Sequence, residues 1–70
     1  MLIRPLNDKY QITWDSHIEE AKQAYEWCEQ SFGSGWGNFT PGIPNWTGWA
    51  THEFIFHKLS HANWFKIRFT

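Results

Sequence analysis

The sequence predicts a single small α+β domain. It should hold an antiparallel β-sheet of three to four strands, one α-helix packed on one face, and a long Trp/Gly/Pro-rich loop. Three observations lead there. A helical period bounded by cap residues fills much of the first half of the chain. Segments of strict alternation flank it on both sides. An uncharged run punctuated by glycine and proline then separates the helix from the last alternating segments. The chain has 70 residues, enough for one domain and one modest core. A few strands and one amphipathic helix then have one economical arrangement, two layers with the helix laid across the sheet.

Taken in order, Leu2 and Ile3 read as a short strand, with Pro5 to Asp8 as the turn that reverses the chain. Tyr10, Ile12 and Trp14 alternate with Lys9, Gln11 and Thr13, the period of a half-buried strand. Asp15 or Ser16 can cap a helix, and Ser16-x-x-Glu19 has the form of a capping box. Glu19 and Glu20 suit the positive end of a helix dipole. Ile18, Ala21, Tyr25, Cys28 and Phe32 share one helical face, and Gly33 supplies a left-handed terminator, so the helix spans about 16–32. Residues 33–50 show no period and read as a loop, a length that is often functional. Thr51 to His57 alternates as a strand, and Lys58 to Asn63 turns the chain, with Ser60 able to cap one helical turn. Phe65, Ile67 and Phe69 alternate with Trp64, Lys66 and Arg68, which predicts a C-terminal hairpin over about 51–69.

Two stretches also resemble a known group. The helix motif Tyr25-x-Trp27-Cys28-x-x-x-Phe32-Gly33, followed by a Trp-bearing loop, is similar to small accessory proteins of tailed bacteriophages. So is the tail Phe54-x-Phe56 followed by Ala62-x-x-Phe65-x-Ile67-Arg68-Phe69. In that group the C-terminal turn often carries acids where this chain has His57, Ser60 and His61. The resemblance implies a viral protein at work in the bacterial cytoplasm and carries no activity with it.

Composition narrows the function classes. Hydrophobic residues make up 41% of the chain and charged residues 19%, with a net charge of −1, which is too apolar and too weakly charged for a disordered tail. No apolar run approaches the roughly 20 residues of a membrane span. The N-terminus lacks a signal peptide's apolar stretch, so a cytoplasmic location is expected. The single cysteine, Cys28, cannot form an internal disulfide and suits the same reducing compartment. Charge is segregated along the chain. Residues 1–35 hold Arg4, Lys9 and Lys22 against Asp8, Asp15, Glu19, Glu20, Glu26 and Glu29, whereas residues 36–70 hold Lys58, Lys66 and Arg68 against Glu53 alone.

Catalytic and metal-binding constellations are weak. His52, His57 and His61 are the metal candidates, but His52 and His57 fall on opposite faces of a strand because their separation is odd. Cys28 sits on the apolar helix face between Glu26 and Glu29, which oppose a thiolate. The Gly33-Ser34-Gly35-Trp36-Gly37 run follows a helix instead of opening one and has no lysine for a phosphate. Asn38-Phe-Thr and Asn45-Trp-Thr match the glycosylation pattern, which a cytoplasmic protein leaves unused. Neither an enzyme nor a bound cofactor is therefore expected.

Tryptophan gives the sharper signal. Six Trp, six Phe and two Tyr are more aromatic area than a core this small needs. Trp27 lies off the helix's apolar face, and Trp36, Trp46 and Trp49 lie in the uncharged loop with Phe39. Either the loop folds over Trp27 as a second small core, or some rings stay exposed as a recognition patch. The expectation is that Trp27, Trp36, Phe39, Trp46 and Trp49 dock onto a host or viral protein, with self-association as another way to cover them. The alternative is a single-stranded nucleic-acid face of Lys58, Trp64, Lys66 and Arg68, in which rings stack bases and cations meet phosphates.

Overall fold

The structure is a computed structural model that describes residues 2–40 and 48–69. Strand β1 (Ile3–Leu6) and strand β2 (Lys9–His17) form a hairpin, with Leu6 opposite Lys9. Asn7 takes a positive φ of 29° in its two-residue turn, a conformation asparagine tolerates better than most side chains. Helix α1 (Ile18–Phe32) follows at once, then strand β3 (Gly37–Thr40), strand β4 (Trp49–Phe56) and helix α2 (Leu59–Phe69). The strands pair antiparallel in the order β1-β2-β4-β3. The expected α+β class and antiparallel sheet are present, and among the described residues the sheet has four strands.

Register decides which side chains meet the helices. Tyr10 pairs with Phe56, Ile12 with Phe54, Trp14 with His52 and Ser16 with Ala50, while Phe39 pairs with Phe54 on the other side of β4. These positions alternate onto one face. There Ile12, Phe54 and Phe56 are buried together with Ala21, Ala24 and Cys28 of α1 and Ala62 and Phe65 of α2. Ala21 and Cys28 belong to the face the helical period predicted, Ala24 is buried beside them, and Tyr25 and Phe32 of that face are only partly buried. Gly33 ends α1 with φ 78°, its N–H donating to the Glu29 carbonyl at 3.0 Å.

Three expectations are corrected. The described residues form two helices, and residues 59–69 are α2, so the 51–69 hairpin is absent beyond its first strand. Ala62, Phe65 and Phe69 are spaced for one helical face and pack on the sheet, overriding the alternation of Phe65, Ile67 and Phe69. The stretch 33–50 holds β3 and the start of β4, and β3 fills the edge position that the hairpin's second arm would have taken. The capping box is unused. Pairing of β2 with β4 runs on through Ser16 and His17, so the cap moves to His17, whose Nδ1 accepts the Glu19 N–H at 3.2 Å. The Ile18 N–H finds the Gly48 carbonyl at 2.7 Å, which satisfies another donor left over at the helix start.

Candidate functional site

Trp36 is a core residue. It has no exposed surface, packs 4.9 Å from the Phe56 ring and 5.9 Å from that of Tyr25, and donates its Nε1–H to Glu29 Oε1 at 3.2 Å. Its expected docking role is therefore withdrawn. The same carboxylate accepts a hydrogen bond from Tyr25, which with its charge raises the Tyr25 pKa, burial adding a smaller push. Glu29 thus ties the segment after α1 back onto the helix. Close passage of that segment over β4 requires Gly37. A Cβ there would lie 1.6 Å from the Ile55 carbonyl oxygen, and φ is +146°.

Phe39 is half-buried, stacked 4.9 Å from Phe54 and tilted against Tyr25 at 5.4 Å. Trp27 is half-buried as well, and its place between the helices explains why it lies off the sheet-facing stripe. Its ring meets Phe32 and Phe69 at 5.3 Å, Trp64 at 6.1 Å and Phe65 at 6.3 Å. Trp49 is 50% exposed on the sheet face opposite the helices, with its edge against His17. Trp46 lies outside the described residues. Among the described residues, the docking set therefore does not converge on one patch.

A different group does come together on α2. Trp64 is 55% exposed and Ile67, three residues on, is 76% exposed, while Leu59 at the start of the helix is 46% exposed. Trp64 leans toward α1, 6.1 Å from Trp27 and 5.4 Å from Phe32. The signal for this patch was in the sequence. Once Ala62, Phe65 and Phe69 define the inner face, Ser60, Trp64 and Ile67 must point outward at about 100° per residue. Read as a strand, the same segment concealed it.

Helical geometry also breaks up the alternative face. Trp64 and Arg68 stand one turn apart, Lys66 projects about 200° from each, and Lys58 precedes the helix. Arg68 lies over the Phe69 ring at 5.1 Å. The two helices differ sharply in charge. α1 exposes Glu19, Glu20 and Glu26 with Lys22, whereas α2 has no acid and carries Lys66 and Arg68 in its last turn, where the dipole favours cations.

The titratable groups are dispersed. His52 is buried, with Nε2 3.1 Å from the Ser16 carbonyl oxygen, and His57 is exposed at the end of β4. His61 stacks flat on Phe32 at 4.1 Å, its Nδ1 buried without a hydrogen-bond partner. Burial, with the Lys58 charge second, lowers its pKa below the ordinary histidine value. Among the described residues no three His, Cys, Asp or Glu side chains are placed to hold a metal ion. Cys28 is fully buried, and burial together with the Glu29 charge pushes its thiol up to about 12. No described helix is long and apolar enough to cross a membrane. No protein-family model, curated protein or solved structure matches the chain significantly.

Proposed function

We propose that this chain is a non-catalytic protein-interaction module that docks through the outer face of α2, with Trp64 and Ile67 as its anchors. The resemblance to phage accessory proteins supplies the setting, a host or viral partner in the bacterial cytoplasm. One observation carries the reading. α2 already completes the core with Ala62 and Phe65, yet Trp64 and Ile67 remain 55% and 76% exposed. Large apolar side chains clustered outside a finished core are the composition of a docking centre. A thiol near 12 gives no support to nucleophilic catalysis.

The test is affinity capture with the Trp64→Ala/Ile67→Ala variant beside Trp49→Ala, which alters the other face of the sheet. Loss of partner in the first variant alone supports the reading, and retention in it sinks the reading. A second reading, single-stranded nucleic-acid binding, draws on Arg68 one turn beyond Trp64 on a helix without acids. It requires an affinity that falls steeply with added salt, where an apolar protein interface responds little. The acids of the neighbouring α1 weigh against it.

A further inference from the structure

We infer that the outer face of α2 is covered by a second copy of this chain, in a two-fold dimer whose axis runs along the α1–α2 seam. The inference rests on the docking role proposed above and names its partner. Its first support is the direction of the helices. Phe32 of α1 meets His61 of α2, while Trp27 meets Phe65 and Phe69, so the helices lie side by side and antiparallel. The second support is charge. One helix of this layer exposes mainly acids, and the other carries only bases among its charged side chains.

A two-fold axis parallel to the helices and above their seam places α1 of each copy over α2 of the other. Acid then faces base twice, once on each side of the axis, as a self-complementary interface requires. The axis also preserves height along the helices. Because Trp27 is level with residues between Phe65 and Phe69, Arg68 of one copy falls near Glu26 of the second. Both side chains are exposed in the single chain. Trp64 leans toward the seam, so the two Trp64 indoles meet close to the axis, each backed by its own Trp27. The result is an apolar aromatic centre with a charged rim, the usual anatomy of a specific interface.

Size limits the strength of such a dimer. The molecule measures 34 × 24 × 20 Å, so its broadest face offers at most about 800 Å² per copy, an ordinary interface area with nothing to spare. Association in the micromolar range is expected, visible as a concentration-dependent mass.

Sedimentation of the full chain from about 0.1 μM to about 1 mM tests this, those limits bracketing a micromolar constant. Wild type should pass from monomer to dimer across the series. Trp64→Ala should weaken dimerisation at least about tenfold. Arg68→Glu and Glu26→Arg should each remain monomeric, since each sets like charges against one another, and their circular dichroism should match wild type. Mixed together, the two charge variants should form a heterodimer, because both rim pairs are then opposite in sign. Restoration on mixing requires α1 of one copy to face α2 of the other, and loss of fold cannot imitate it. A wild type that stays monomeric, or charge variants that fail to combine, would overturn the inference. If such a monomer still loses a captured protein on Trp64→Ala, only the dimer falls. If capture is also indifferent to Trp64→Ala, the docking role falls with it.

Discussion

Replacing Trp36 by alanine should cost this protein most of its stability, whereas the same change at Trp64 should cost little. Trp36 has no exposed surface. An indole buries about 150–250 Å², and at about 25 cal/mol per Å² that corresponds to roughly 4–6 kcal/mol. Large-to-small core replacements of aromatic residues cost about 3–5 kcal/mol, in line with that figure. The Glu29 carboxylate also loses its indole donor, a smaller effect because the bond is only partly buried. Domains carry roughly 0.05–0.15 kcal/mol of stability per residue, so a chain of this size has about 4–10 kcal/mol in all. Urea denaturation followed by circular dichroism gives the readout. With a slope near 1.5 kcal/mol per molar for a small domain, the midpoint should fall by about 2–3 M in Trp36→Ala. Trp64→Ala gives up contacts to Trp27 and Phe32 from a position 55% exposed, and should cost less than about 1 kcal/mol. A Trp36→Ala midpoint close to wild type would refute the reasoning. It would show that this indole is not held in the core and restore it to the docking set.

Three further outcomes follow from the same geometry. Gly37→Ala should destabilise by more than about 3 kcal/mol, since a Cβ would lie 1.6 Å from the Ile55 carbonyl oxygen and the residue's φ is +146°; hydrogen exchange should show protection lost across β3 before the rest of the sheet. Cys28 should resist thiol reagents in the folded protein and react at once in denaturant, because with its pKa near 12 only about one molecule in ten thousand is thiolate at pH 8; rapid labelling without denaturant would contradict the burial. His61 should make the protein less stable as pH falls. Its folded pKa lies below the ordinary histidine value of 6.5, so its contribution is whole above that pH and is lost as pH drops through the lower folded value. His61→Gln should flatten that part of the stability profile, and an unchanged slope would place the titrating group elsewhere.

The elements legible in the sequence are those whose pattern is local. α1 announced itself through Ala21, Cys28 and the glycine that ends it, and the first hairpin through the alternation of β2, although β1 runs on through Pro5 and Leu6, which pair with Tyr10 and Lys9 where a turn over Pro5 to Asp8 was expected. β3 was illegible for a physical reason. Only four residues long, it is set between glycines and a proline, and its strand character comes from pairing with β4. Trp36 follows from β3, because a segment read as open loop offers no reason to bury an indole. The cap at His17 is also a long-range effect. Nothing near Ser16 says that β4 will hold the backbone extended for two residues more.

Misreading α2 had a different origin, and Trp27 held the means to correct it. Residues 59–69 satisfy two periods at once, since Phe65, Ile67 and Phe69 alternate while Leu59, Ala62, Phe65 and Phe69 follow a helix. Aromatic and β-branched side chains favour the strand in such a tie. Burial decides the other way, because as a helix the segment hides Ala62 and Phe65 completely and leaves Ile67 to solvent. A large ring about 100° or more off the sheet-facing stripe of α1 has no use against a single sheet. It needs a neighbour beside the helix, and a second helix in the same layer supplies one. Trp27, read as surplus, was thus a packing constraint, and the element that satisfies it also puts Trp64 and Ile67 on the surface. The buried and exposed indoles exchange roles for one reason. Turning the last segment from strand to helix covers Trp27 and uncovers the outer face of α2.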